Sequence, residues 1–169
     1  TGRDSCFALA RALAIQLIDG HREARSAFAR AVGLAMTGRR VAVWIGGEGL
    51  GAISEQLHDA ARRHLPLMVY GAGGPDPSGA GGDDRVYHQL AETGAFLAVA
   101  HDAQHALDLI VAGHRIAETA LLPGVIFCDG PETAYGYSDH PEPDAATIRA
   151  WLGLPEDSIA APTPAQELI

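Results

Sequence analysis

The sequence has little cysteine and few basic residues. Cys6 and Cys128 are its two cysteines, and they lie far apart without a partner motif. We therefore expect neither a disulfide framework nor a zinc site. Lys and Arg number 12 against 21 Asp and Glu, giving a net charge of −9, so we expect no nucleic-acid partner. No apolar run approaches the length of a membrane span, and the scarce cysteines favour a reducing cytoplasm.

The chain is rich in the residues that build a core. Its 169 residues are 47 % hydrophobic, which favours one globular domain. We assign residues 1–153 to this domain and residues 154–169 to a Pro-rich tail or a linker to a further domain. Because residue 1 opens abruptly and the end carries no capping element, we expect the chain to be a piece of a longer protein.

Apolar runs alternate with amphipathic segments along the chain. This alternation predicts an α/β fold with a doubly wound, mostly parallel sheet and helices on both faces. The runs are continuous rather than alternating, as in strands buried on both faces. A helix ending near Ala12 and a short strand in "AIQLID" are predicted before them. The four clear strands, which we expect to be parallel neighbours, are Val41–Ile45, Leu67–Tyr70, Ala95–Val99 and Val125–Cys128.

Ligands of such sheets bind beyond the carboxyl ends of the strands, and two of these ends are rich in glycine. Residues 71–83 contain six glycines and two prolines, which predicts a mobile loop that proteases cut first. The other end, "GGEGLG" at residues 46–51, lacks the G-x-G-x-x-G spacing of a dinucleotide loop and carries Glu48. The glycine spacing instead favours a tight turn that only connects a strand to a helix.

Three side chains are candidates for chemistry. His101 and His105 are spaced i, i+4 in "HDAQH" at a predicted helix, which we expect His101 to cap or precede. The general-base Glu of a zinc protease is missing, and no third ligand has a typical spacing. We therefore expect no metal site. Glu23 falls in the first turn of a predicted helix, where a carboxylate is either a dipole contact or a catalytic group.

Four segments resemble one known family in order and spacing over roughly 115 residues. They are "REARSAFARAVGLAMTG", "GGEGLGAISEQLHDAARRHLPLMVYGAGG", "ETGAFLAVAHDAQHALDLIVAGHRIAE" and "VIFCDGPETAYGY". They are similar to the S-E-A-G-A helix, the S-x-G-L turn, the Q-T-G-F strand and the F-x-D-G strand of the pyruvate:ferredoxin (2-oxoacid:acceptor) oxidoreductase family. The resemblance is to its pyrimidine-binding thiamine diphosphate domain, and it implies a thiamine diphosphate-binding-like fold.

The resemblance implies specific roles. The family's glutamate, which bonds the pyrimidine nitrogen and promotes formation of the reactive ylid, falls on Glu23. The turn residues Gly47, Glu48 and Gly49 would border the cofactor. A partner domain or subunit would hold the diphosphate and its magnesium. Such domains act in pairs, so we expect a homo- or hetero-oligomer that shares the cofactor.

The sequence also departs from the family pattern. The Y-P-I-T-P segment is absent before Glu23, and "GAGGP" stands where the family has the A-R-A arginine that faces the oxoacid carboxylate. Two hypotheses follow. The chain is a working domain of a 2-oxoacid oxidoreductase, or it is a degenerate, non-catalytic copy that serves assembly within a larger redox enzyme, such as a sulfite reductase flavoprotein-like component.

Overall fold

The computed structural model describes residues 2–13, 15–20, 22–47, 49–72, 84–128, 144–154 and 157–159. These residues form five strands and seven helices. In chain order they are α1 (Gly2–Ala12), β1 (Gln16–Asp19), α2 (Ala24–Met36), β2 (Val41–Gly46), α3 (Gly49–Ala52), α4 (Ser54–Arg62), β3 (Met68–Ala72), α5 (Asp84–Ala91), β4 (Phe96–Ala100), α6 (Ala103–Ala120), β5 (Gly124–Cys128) and α7 (Ala145–Leu152).

The five strands form one sheet in the order β1-β2-β3-β5-β4, and every neighbouring pair is parallel. The predicted parallel neighbours are therefore confirmed, as is the short strand in "AIQLID". Strands β2, β3 and β5 are almost wholly buried, while the edge strands β1 and β4 are partly exposed. Continuous apolar runs identify the central strands because both of their faces must be apolar.

Helices cover both faces of the sheet, as predicted. Helices α1, α6 and α7 pack on one face, where Trp44 and Tyr70 are fully buried. Helices α2, α3, α4 and α5 pack on the other, around Phe28, Ile53 and Leu57. Fully burying an aromatic or a large aliphatic side chain contributes about 1.5–3 kcal/mol, so each face holds a substantial part of the folding free energy.

Two sequence-level expectations need correction, and a third is confirmed. The helix predicted after the "GGEGLG" turn is two helices that break at Ile53, whose N–H bonds back three residues to Leu50 in the tighter 3₁₀ manner. Gly71 and Ala72, predicted as loop, complete strand β3, because pairing with β2 and β5 continues through both of them. The expectation that His101 caps or precedes its helix is confirmed, because Asp102 is the N-cap of α6.

Other expectations concern residues outside the described part of the chain. Residues 73–83, the rest of the predicted mobile loop, lie outside the described residues, as do residues 129–143 after β5 and residues 160–169 of the predicted tail. Residues 157–159 are described, and the N–H of Ile159 donates to the Gly38 carbonyl at 2.9 Å. The boundary at residue 153 stays a prediction.

Gly38 has a φ of +77°, the left-handed conformation expected of the glycine that ends α2.

A buried polar pair lies between the sheet and α6. The Tyr70 hydroxyl is 2.7 Å from Nε2 of His114, and His114 is 2 % exposed. Burial, together with the nearby charge of Arg40, lowers the pKa of His114 from 6.5 to about 3. The imidazole is therefore neutral in the folded protein at every pH above about 3.

This pair predicts the acid sensitivity of the fold. Because the pKa of His114 is lower in the folded state, the unfolded chain binds more protons between pH 6.5 and about 3. The free energy of unfolding should then fall by roughly 1.4 kcal/mol per pH unit below pH 6.5 from this group alone. Urea unfolding between pH 4.5 and 7 should show a shallower pH slope for His114→Gln than for wild type. His88→Gln, at an exposed helical position, is the control and should keep the wild-type slope. Equal slopes in all three proteins would contradict the assignment.

Candidate functional site

The carboxyl end of β2 turns sharply into α3. Gly47 has a φ of +50°, a conformation that side-chain-bearing residues rarely adopt, and its N–H donates to the Ala72 carbonyl at 3.0 Å. The N–H of Leu50 then bonds to the Gly47 carbonyl at 3.2 Å. The turn is thus tied to the end of β3, as expected for a tight turn from strand to helix. Glu48 lies outside the described residues.

Glu23 lies at the start of α2, next to this turn. It is the N-cap residue, one position before the first turn in which the sequence placed it, with φ −141° and ψ 69°. Its side chain is exposed and makes no capping hydrogen bond. Its backbone carbonyl accepts from the Ala27 N–H at 2.9 Å. The carboxylate is therefore not used to satisfy the helix end.

Two other helices of the chain show what a capping side chain does here. Asp102 begins α6, and its carboxylate accepts the His105 N–H at 2.7 Å. Asp144 begins α7 and accepts the Thr147 N–H at 3.2 Å. Aspartate is among the preferred N-cap residues because its short side chain reaches these donors. Glu23 differs from both in residue type and in leaving its carboxylate uncommitted.

A close helix contact brings Glu23 and the glycine turn together. A Cβ atom added at Gly49 would lie 2.9 Å from Ile45 Cγ2 and 3.0 Å from the Cβ of Ala24, the neighbour of Glu23. Gly20 is equally tight, because a Cβ there would lie 2.9 Å from the Trp44 carbonyl oxygen. Two glycines thus let the chain after β1 and the start of α3 approach β2. The structure therefore places Gly49 of the turn against Ala24, the residue that follows Glu23.

Side-chain amides and a guanidinium lock this arrangement. The Arg25 Nε–H donates to the Ala52 carbonyl at 3.0 Å, and Gln56 Nε2 donates back to the Arg25 carbonyl at 3.3 Å. Gln89 Nε2 reaches across from α5 to the Gly51 carbonyl at 3.2 Å and to Ser54 Oγ at 2.8 Å. The sequence analysis missed Arg25 and Gln89, because their partners lie 27 to 38 residues away and no local motif marks them.

One thiol and two histidines at the same edge of the sheet are not part of the candidate site. Burial raises the pKa of Cys128, the last residue of β5, to about 11, so its thiol stays protonated at neutral pH and is a poor nucleophile. His101 and His105 lie after β4, three strands away from β2. Within the described ranges, no group of three or more His, Cys, Asp or Glu side chains could hold a metal ion.

The sequence pattern of the family described as pyruvate flavodoxin/ferredoxin oxidoreductase, thiamine diphosphate-binding, matches residues 10–159. The chain belongs to this family. Its membership confirms the resemblance drawn from the four sequence segments. It places the domain among thiamine diphosphate-binding domains. No curated protein matches the domain in a sequence comparison.

Solved structures share the fold. A 2-oxoglutarate:ferredoxin oxidoreductase from Magnetococcus marinus, solved with 2-oxoglutarate, coenzyme A and succinyl-CoA bound, is similar over 86 % of this chain with a TM-score of 0.69 and 16 % identity. A transketolase variant from Pichia stipitis in complex with xylulose 5-phosphate is similar over 85 % of this chain, with a TM-score of 0.50 and 16 % identity. The matched region is 31 % of the oxidoreductase chain and 26 % of the transketolase chain. Among the described residues, no helix is both long and apolar enough to cross a bilayer.

The contact at Gly49 can be tested by adding one methyl group. Gly49→Ala should force α3 away from Ile45 and Ala24, and we expect a loss of about 1–3 kcal/mol in the free energy of unfolding. Gly33→Ala on the neighbouring helix α2 is the control, because nothing lies within 4 Å of the added methyl. It should stabilise the domain by about 0.5–1 kcal/mol through helix propensity. Urea unfolding measures both, and equal effects at the two positions would contradict the packing argument.

Proposed function

We propose that this domain is the pyrimidine-binding part of a thiamine diphosphate-dependent 2-oxoacid:acceptor oxidoreductase, and that Glu23 is its cofactor-activating carboxylate. The observation that carries the proposal is the uncommitted carboxylate of Glu23 at the start of α2, beside the glycine turn. An exposed carboxylate that makes no capping bond is free to accept a hydrogen bond from a bound ring. The domain's family membership supports the cofactor class.

The described residues fit one part of the cofactor. A carboxylate beside a tight glycine turn suits a neutral, hydrogen-bonding ring such as an aminopyrimidine. We propose that Gly47, Glu48 and Gly49 border this ring, with the glycines allowing the backbone to come close. Thiamine diphosphate, when bound, supplies the carbanion chemistry needed at the carbonyl of a 2-oxoacid. Glu23 would hold a proton or a hydrogen bond at the ring nitrogen, and α3 would keep that carboxylate in place.

The diphosphate group requires a different environment. Its negative charge and its magnesium call for carboxylate ligands and backbone N–H donors, and the described residues offer no cluster of acidic or histidine ligands. We therefore propose that a partner domain or subunit holds the diphosphate and magnesium, and that the cofactor is shared across a homo- or hetero-oligomeric interface. Calorimetric titration of the isolated domain with thiamine diphosphate and magnesium should then show weak or no binding. Micromolar affinity of the isolated domain would contradict the sharing.

Substitutions at Glu23 separate catalysis from helix capping. In the full-length parent protein, Glu23→Gln should lower turnover by roughly 30- to 1000-fold, because removing a preorganised electrostatic group costs about 2–4 kcal/mol of transition-state stabilisation. Glu23→Asp should also lower turnover because its carboxylate is one methylene shorter. It should nevertheless stabilise α2 by about 0.5–1 kcal/mol, since aspartate caps well. Steady-state turnover and thermal unfolding of each variant measure the two effects.

The control is Glu55→Gln, at an exposed glutamate in the first turn of α4. It should leave turnover unchanged and alter stability by less than about 1 kcal/mol, the scale of a helix-dipole contact. Unchanged turnover in both Glu23 variants, at saturating thiamine diphosphate, would sink the catalytic role. That outcome would support the second candidate, a non-catalytic copy kept for assembly within a larger redox enzyme. The missing arginine after Tyr70 favours this second candidate.

A further inference from the structure

Two imidazole rings meet at the end of β4, away from the proposed cofactor site. Nδ1 of His101 lies 2.6 Å from Nδ1 of His105, and the ring centroids are 4.3 Å apart. We propose that these two nitrogens form an open chelate for a divalent transition-metal ion of the Zn²⁺ or Ni²⁺ type. Imidazole nitrogen is a preferred ligand of these ions, and two histidines four residues apart at a helix start can present both nitrogens on one side.

The short distance shows where the lone pairs point. Two ring nitrogens approach to 2.6 Å only when one carries a proton and the other offers its lone pair to it. When that proton moves to Nε2 of the ring that carries it, both Nδ1 lone pairs are free and converge on the position that a metal ion would take. With metal–nitrogen bonds of about 2.0–2.1 Å and a tetrahedral angle, the nitrogens must separate to about 3.4 Å. The His101 side chain is 73 % exposed, so its ring has room to turn by this amount.

Asp102 prepares the His101 ring for this role. Its Oδ2 atom is 3.2 Å from Nε2 of His101, so its negative charge favours the tautomer that carries the proton on Nε2 and leaves the Nδ1 lone pair free. Histidines that bind metals almost always donate their other N–H to such a group. The backbone N–H of His105 donates to Oδ1 of the same carboxylate at 2.7 Å and holds it in place. Its negative charge also offsets the positive end of the α6 dipole, which by itself disfavours a cation.

The remaining ligand positions are open. No third His, Cys, Asp or Glu among the described residues completes the set, so water or a bound small anion would fill them and the ion would exchange freely. The chelate is also separate from Glu23 and the glycine turn. Strands β3 and β5 lie between β2 and β4, and three strand spacings correspond to about 14 Å. The inference is therefore independent of the proposed thiamine function.

The experiment is calorimetric titration of the whole chain with zinc chloride and with nickel chloride, at pH 6 and pH 8. We expect saturable binding that is tighter at pH 8, because imidazole binds a metal ion only in its neutral form and protons compete for the ligand nitrogens at pH 6. His101→Gln and His105→Gln should each weaken one binding event at least tenfold. Asp102→Asn keeps both nitrogen ligands but removes the carboxylate, and it should weaken the same event by about 10- to 100-fold.

The control is His88→Gln, which removes an exposed histidine of α5 and should leave that binding event unchanged. Thermal unfolding without metal checks that each variant is folded. Binding that survives both His101→Gln and His105→Gln would overturn the proposal, because the ion would then be held elsewhere. Absence of any saturable binding up to 1 mM metal would overturn it as well. A Kd of 1 mM corresponds to a binding free energy of only about −4.1 kcal/mol.

Discussion

The parallel pairing of the buried strand β3 is the constraint on which the rest of this structure depends. β3 hydrogen-bonds to β2 on one side and to β5 on the other, and all five of its residues are buried. Because every strand runs the same way, all of the carboxyl ends meet at one edge of the sheet. Gly71 in β3 leaves room for the Leu50 side chain, since a Cβ at Gly71 would lie 2.8 Å from Leu50 Cδ1. The position of α3, and with it the glycine turn, is therefore fixed from the centre of the sheet.

The two edges of the sheet use polar groups differently. At the amino edge, Arg40 binds both carboxylate oxygens of Glu118, at 2.5 and 2.9 Å, and also donates to the Leu152 carbonyl at 2.6 Å. This network joins the start of β2 to the ends of α6 and α7. Its members satisfy one another, and breaking such a buried pair by removing one partner costs about 3–5 kcal/mol. At the carboxyl edge the Glu23 carboxylate is exposed and makes no cap, which suits binding rather than stability.

Sequence patterns predicted the sheet well because burial on both faces demands continuous apolar runs. They did not predict the break at Ile53, because the apolar periodicity of the sequence continues through α3 and α4. They also did not predict the bond from Arg25 to the Ala52 carbonyl, since that bond exists only after α2 and α3 pack together. Local sequence patterns therefore predict single helices and strands, whereas the contacts between these elements can be identified only in the folded structure.

The choice of glutamate at residue 23 is the point at which local stability and the expected function diverge. The chain places aspartate at the N-caps of α6 and α7, and both carboxylates accept a backbone N–H. At the N-cap of α2 it places glutamate, which makes no such bond, although an aspartate there would stabilise the helix by about 0.5–1 kcal/mol. Residues that break a local preference without a compensating contact concentrate at functional sites. Helix capping does not account for Glu23, and the catalytic role that we propose for it would require a longer, uncommitted carboxylate.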